Sequence, residues 1–332
     1  MSSQPADTEA KQTESALAQV TQEDTSKLVG RSIKGKFLSQ EQPEGRGARV
    51  RRSIGRPEIP QFDPFLMLDE FNVVPPGGFP DHPHRGMSTC TYILPGSEGT
   101  ILHEDFTGHA GEIGAGDVQW MNAGRGIVHA EMPGNGKPAR GLQLWINLSK
   151  KDKMSEPSYQ ELPASKIPKV EKDGVHAAVI AGRALGTEAN IYTLTPIHYI
   201  HFTLQPGAVL RHPIPSTWNV LIYTLDGTGY IGPNAEECNE EDLVKPHHSV
   251  TLNQWAGSKT ESADGVVVKA SDKGFSFILV AGEPLNEPVA WHGPFVMNTR
   301  QEIMQTIMDF QYGLNGFEKA PSWVSKIRNR WQ

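Results

Sequence analysis

The sequence is poor in cysteine, in long apolar runs and in net positive charge, and each shortage removes a class of protein. Two cysteines in 332 residues, Cys90 and Cys238, cannot build the disulfide framework of a small secreted domain. They fit a reducing compartment, with both thiols expected to be buried and structural. No run approaches the roughly 20 apolar residues of a membrane-spanning helix, so no integral membrane protein is expected. The formal net charge is −7. A chain whose main affinity is for phosphate backbone is ordinarily basic, so direct nucleic-acid binding is not expected. The N-terminus lacks the apolar stretch of a signal peptide, and Asp7, Glu9, Glu14, Glu23 and Asp24 make it too acidic for a mitochondrial leader. By elimination the expected location is the nucleus and cytoplasm.

Glycine (33) and proline (25), by contrast, exceed ordinary usage. That excess implies many turns, hence an all-β chain, and the length suggests two domains. Residues 1–30 are polar and without aromatics, and are expected to form a disordered tail. From 31 to 148, short runs of β-formers alternate with turns. Thr91-Tyr92-Ile93-Leu94 precedes Pro95-Gly96, and the stretch from Leu142 to Leu148 alternates apolar and polar. Residues 149–173 are charged and aperiodic and read as a connecting segment. The strand texture returns in 174–332, where Ile222-Tyr223-Thr224-Leu225-Asp226-Gly227 mirrors the Tyr92 run at an offset of 131 positions, a sign of duplicated β domains. Near the end, Thr299-Arg300-Gln301-Glu302 is a capping box. Ile303, Met304, Ile307, Met308 and Phe310 follow at helical spacing and Gly313 is a stop, so a C-terminal helix is expected to pack on the body through its Met/Ile stripe.

Two dipeptide-spaced pairs carry the chemistry. In an extended chain residues i and i+2 share a face, so His82 and His84 around Pro83 present two imidazoles to one point. His129 and Glu131 repeat that spacing downstream. Two such strands side by side offer three imidazoles and one carboxylate to one ion, a mixed set that suits Fe, Mn, Ni, Cu or Zn. An octahedral ion would keep two positions open for water, dioxygen or a substrate oxygen. His103-Glu104-Asp105 is an alternative ligand set, should the strands pair differently. The remaining histidines, His109, His198 and His212 among them, have no evident partner in the sequence.

The stretches Arg46-Gly47-Ala48-Arg49-Val50-Arg51-Arg52-Ser53-Ile54-Gly55, Asp63 to Phe71, Pro76 to Gly86, His103-Glu104-Asp105-Phe106 and Gly124 to Pro133 resemble the pirins, members of the cupin superfamily. His292-Gly293-Pro294-Phe295-Val296-Met297-Asn298 extends the resemblance towards the C-terminus. It implies a bicupin: a metal-binding cupin barrel in 31–148, a second barrel in 174–332, and one mononuclear iron (Fe2+, or another divalent transition metal) on His82, His84, His129 and Glu131. Many cupins place a ligand Glu a few residues after the second His. This chain has Ser88 and Thr89 there, so the carboxylate falls to Glu131. At the 131-residue offset His82 and His84 fall on Pro213 and Pro215, which predicts no metal in the second barrel. The family resembles quercetin 2,3-dioxygenases, which open a flavonol ring with dioxygen and release carbon monoxide. A flavonol-like substrate is therefore implied, with Glu131 as the catalytic base. The family is also described as nuclear co-regulators that bind Rel-type transcription factors, for which Arg46, Arg49, Arg51 and Arg52 form the candidate surface. Asp81 and Gln143 are candidates for support around the metal.

Overall fold

The structure, a computed structural model, describes residues 25–44, 47–254, 256 and 262–331. Runs of β-formers between Gly and Pro turns become strands almost throughout. The first half holds β1 (Ile33–Leu38), β2 (Glu41–Glu44), β3 (Ala48–Ile54), β4 (Phe65–Val73), β5 (Phe79–His84), β6 (Met87–Ile93), β7 (Ile101–Asp105), β8 (Ala110–Ile113), β9 (Val118–Asn122), β10 (Ile127–Pro133), β11 (Ala139–Asn147) and β12 (Ser158–Leu162). One sheet runs β12-β9-β6-β11-β4-β3-β2 and a second runs β5-β10-β7-β8, and the two form the N-terminal cupin barrel. β6 and β10 are buried at every position, as strands covered on both faces must be.

The second half begins with β13 (Lys169–Lys172), β14 (Val175–Ala181), β15 (Arg183–Ala184), β16 (Thr187–Glu188), β17 (Ile197–Leu204), β18 (Val209–Pro213) and β19 (Asn219–Ile231). It continues with β20 (Leu243–Val244), β21 (His248–Leu252), β22 (Gly265–Gly282), β23 (Ala290–His292), β24 (Phe295–Met297) and helix α1 (Arg300–Tyr312). β19 and β22 are long enough to serve both walls of the second barrel. β22 pairs with β18 through its first residues and with β17 through its last, and β19 follows it through register shifts that bend the ladder.

Both ends of the chain cross the expected domain boundaries. β1 falls within 31–148 yet pairs with β21 of the second half. α1 and the segment after it fall within 174–332 yet pack on the first barrel through Arg85, Asp81 and Pro133. The connecting segment 149–173 is structured as well: β12 completes a sheet of the first barrel and β13 one of the second. Of the expected disordered tail, residues 1–24 lie outside the described residues, whereas Thr25–Lys27 forms a 3₁₀ turn and Gly30 bridges Gly265. Cys90 is buried, but Cys238 is exposed, against the expectation of two buried thiols. Among the described residues no helix is long and apolar enough to cross a membrane.

The capping box forms as the sequence predicts, with Thr299 accepting from the Glu302 N–H and Gly313 ending the helix at φ +65°. The buried face is Ile303, Thr306 and Asp309, while Met304 and Met308 are exposed. The methionine half of the expected stripe therefore faces solvent.

The halves share one core, in which Leu142, Leu144 and Tyr92 pack with Tyr199, Leu221, Ile278 and Val280. The 131-residue repeat explains two reciprocal contacts across it. The Tyr92 hydroxyl bonds His201 Nδ1 at 2.9 Å, and the Tyr223 hydroxyl donates to Glu70 Oε2 at 2.7 Å. Tyr92 corresponds to Tyr223 and Glu70 to His201, so each half sends the same tyrosine into the same position of its twin, as a pseudo-two-fold requires.

Candidate metal centre

β5 is the outer strand of its sheet, which is where a proline without an N–H is tolerated; Pro83 lies opposite Val128. His129 sits directly across from His82, so the two rings face one another. The register then slips, placing Phe79 across from Glu131 and leaving Pro80 and Asp81 as a bulge. The bulge turns Asp81 away from the histidines. Its carboxylate accepts from the Ser325 hydroxyl at 2.5 Å and the Ser325 N–H at 3.2 Å. The orienting role expected of Asp81 falls instead to the Pro80 carbonyl, which accepts from His82 Nδ1–H at 2.9 Å.

That bond fixes the tautomer of His82, because a protonated Nδ1 leaves Nε2 as a lone pair. His82 Nε2 lies 2.9 Å from His129 Nε2. The ring of His84 stands 4.9 Å from that of His82 and 5.0 Å from that of His129. One donor nitrogen from each ring lies within 4.8 Å of the others. His84 is 1% exposed, and both of its ring nitrogens are buried without a hydrogen-bond partner. Burial, reinforced by the neighbouring His82, pushes His84 and His129 well below the ordinary imidazole pKa. Three imidazoles with a nitrogen from each drawn close together, those of His84 buried without a partner, suit a divalent transition metal.

Glu131 lies in the same cavity but outside the group of mutually close donors. Its Oε1 accepts from the Thr91 hydroxyl at 2.9 Å, and Thr91 Oγ1 is also 2.7 Å from Gln143 Oε1. Gln143 thus faces the site, as its place on the polar side of β11 suggests. The cavity has a volume of about 680 Å³ and is lined by Met67, Phe71, Ile101, Trp145 and Trp291 together with His82, His84 and Glu131. Trp145 meets the edge of His84 at 5.2 Å. An apolar pocket of this size with a few convergent polar groups suits a small organic ligand.

The candidate arginine surface is largely paired. Arg49 and Arg51 share a face of β3, as expected of extended chain, and both engage Glu41. Arg52 grips Asp69 at 2.7 Å and Glu44 at 2.9 Å; Arg46 lies outside the described residues. In the second half, β18 carries Pro213 where β5 carries His82, and among the described residues both metal-capable clusters lie in the first half.

Two clusters escaped the reading of local spacing because they join residues distant in sequence. His198 and His212 face each other at 3.2 Å inside the second barrel. His103, read as an alternative ligand together with Glu104 and Asp105, and His109, expected to lack a partner, both converge instead on Glu161 of β12. Asp105 accounts for this by accepting from the N–H groups of Thr107, Gly108 and His109, which shapes the turn that presents His109.

Comparison with known proteins is consistent across sequence and structure. The family model "Pirin" matches residues 47–146, and "Pirin C-terminal cupin domain" matches residues 199–316. The human protein named pirin is 54% identical over 292 residues, covering 88% of this chain and 96% of the human one. A tomato (Solanum lycopersicum) pirin-like protein is 51% identical, covering 89% of this chain and 97% of its own length. A crystal structure of quercetin 2,3-dioxygenase from Acinetobacter baumannii superposes with a TM-score of 0.72 at 28% identity, covering 86% of this chain and 98% of that one. The nickel(II) complex of a bacterial pirin from Escherichia coli shares the fold, with a TM-score of 0.57 at 18% identity over 75% of this chain and all of that one.

Proposed function

The chain belongs to the pirin family, and from that premise we propose that its first barrel holds a single divalent iron on His82, His84, His129 and Glu131 and oxidises a flavonol-like substrate with dioxygen. The observation that carries this reading is His84: an almost fully buried imidazole with two unpartnered nitrogens, lining a cavity of about 680 Å³. The structural neighbour from Acinetobacter baumannii bears the name quercetin 2,3-dioxygenase. A dioxygenase of an aromatic substrate calls for a redox-active ion beside a cavity that admits a flat ring system, and this barrel offers both a donor set and such a cavity. When bound, iron would supply redox chemistry towards an electron-rich enol and dioxygen.

The protein's own groups do the rest. Phe71, Trp145 and Trp291 offer flat apolar surface to an aromatic ring system and exclude water from its faces. Thr91 holds Glu131 through Oε1, so that Oε2 would serve as the ligand atom or, released from the ion, as the acceptor of a substrate hydroxyl proton. Pro80 fixes the orientation of the His82 ring through Nδ1–H, so that Nε2 is the nitrogen turned towards His129.

Elemental analysis of wild type beside His84→Ala, followed by aerobic incubation of the iron-loaded samples with quercetin, tests the proposal. One iron per wild-type chain, its loss in the variant and iron-dependent ring opening are expected. Equal iron in both samples would remove the site assignment. Iron without turnover would remove the activity for that substrate.

A further inference from the structure

The first barrel contains a second convergence of ligand-type side chains, apart from the one just described. His103 on β7, His109 in the turn between β7 and β8, and Glu161 on β12 place one donor atom each within 4.8 Å of one another. His103 Nε2 and His109 Nε2 both lie 2.9 Å from Glu161 Oε1. The two contacts differ in kind. His109 Nε2–H donates to the carboxylate in an ordinary hydrogen bond, whereas His103 Nε2, although as close, is buried with no hydrogen-bond partner. His103 is 3% exposed, so water does not satisfy that nitrogen. His103 and Glu161 attract one another at that distance, but the nitrogen does not meet the carboxylate oxygen at a hydrogen-bonding angle, so both remain available to an ion placed between them.

The backbone leaves room at that point. Gly111 of β8 faces the pair, and a Cβ built on it would lie 2.6 Å from His103 Nε2 and 3.5 Å from Glu161 Oε2. Any larger residue would occupy this space. Two imidazoles and a carboxylate form the three-ligand set of an open zinc site. Tetrahedral geometry there needs donors about 3.3 Å apart, which would require a rotation of the Glu161 side chain, about one-third exposed. Gln119, which donates to Glu161 Oε1 at 2.8 Å, supports the carboxylate, and the ring of His109 stacks on Tyr159 at 4.2 Å. His109 is about one-third exposed and provides a way in for the ion.

We propose that His103, His109 and Glu161 form a second divalent-metal site, for an ion of the zinc class, that staples the two sheets of the N-terminal barrel. Its place in the topology gives the reason. β12 is the outer strand of one sheet and β8 that of the other, and the cluster spans the gap between them. An ion there would close an edge that the backbone ladder leaves open. Its three donors are distinct from those of the His82–His84–His129 centre, although His103 lies across from Glu131 in the β7–β10 ladder.

The test uses the full chain, stripped with a chelator, reloaded with Zn2+, desalted and analysed for metal. Wild type is expected to retain two equivalents, His82→Ala/His84→Ala one, and that variant carrying Glu161→Gln none. On the wild-type background, His109→Ala and Gly111→Ala should each lose one equivalent. Zinc should also raise the melting temperature of His82→Ala/His84→Ala, and this shift should vanish with Glu161→Gln. A single equivalent in wild type that His109→Ala leaves unchanged would overturn the proposal, as would a second equivalent indifferent to Glu161→Gln. Should His82→Ala/His84→Ala be insoluble, wild type against His109→Ala makes the same decision, because that side chain is partly exposed and its loss leaves no cavity. Failure of the iron proposal would appear as loss of the other equivalent, so the two ideas fail separately.

Discussion

Removing the charge of Asp309 should unseat the C-terminal helix from the N-terminal barrel. Arg85 follows His84 directly and is 1% exposed, as is Asp309. Arg85 Nη1 donates to Asp309 Oδ2 at 2.7 Å, Nη2 to the Asn315 carbonyl at 2.7 Å and Nε to the Arg125 carbonyl at 2.6 Å. The guanidinium also lies 4.6 Å from the centre of the Phe317 ring. Asp309→Asn keeps the shape but leaves a buried cation without its counter-ion. The expected loss is about 3–5 kcal/mol, a fall in melting temperature of roughly 4–7 °C for a chain of this size. Burial raises the Asp309 pKa, but hydrogen bonds from Arg85, Gln305 and Asn315 outweigh it and hold the carboxyl below the usual range. A depressed folded-state pKa contributes stability above the unfolded value of about 3.9 and loses it as pH falls. The gap between wild type and variant should therefore be full at about pH 7 and shrink below about pH 4. Thermal melts of both proteins, with the exposed Met304→Ala as a control expected to change stability by no more than about 0.5 kcal/mol, make the measurement. A variant melting within about 2 °C of wild type at neutral pH would show that the pair contributes no more than an exposed ion pair does.

Gly86 turns the chain between β5 and β6 at φ +79°, and an added Cβ would fall on the Val296 carbonyl oxygen. Gly86→Ala should therefore cost at least about 2 kcal/mol and lower metal retention through His84; unchanged melting and metal content would contradict this. Lys153 is 1% exposed, and its Nζ donates to the Gly86 carbonyl at 2.9 Å and to Asn147 Oδ1 at 2.5 Å. Burial lowers its pKa to about 8. Unfolded lysine keeps its proton to about pH 10.4, so between these values the unfolded state binds more protons and stability rises with pH, by at most about 3 kcal/mol. Lys153→Met should lack that rise. Denaturant titrations of the two proteins across this range should diverge, and parallel curves would refute the assignment.

The histidine pairs were legible because their spacing is a strand property: period two puts His82 with His84 and His129 with Glu131 wherever the chain is extended. The bulge at Pro80–Asp81 was not legible. It depends on the register between β5 and β10, and it decides that Asp81 serves Ser325 rather than His82. The exposure of Met304 and Met308 had the same kind of cause. Helical periodicity allowed several faces of α1, and the buried Arg85 selected the one with Thr306 and Asp309.

By itself the sequence determined that this is a duplicated β protein with four ligand-type residues in two short motifs, because strand alternation, turn residues and the 131-residue repeat are local or self-similar patterns. Only the tertiary structure decided which strands belong to which barrel, with β1 and α1 each joining the half far from it in sequence. It also decided that His103, His109 and Glu161 meet. The physical reason is that such contacts are set by non-local strand pairing and side-chain packing, to which no spacing along the chain corresponds.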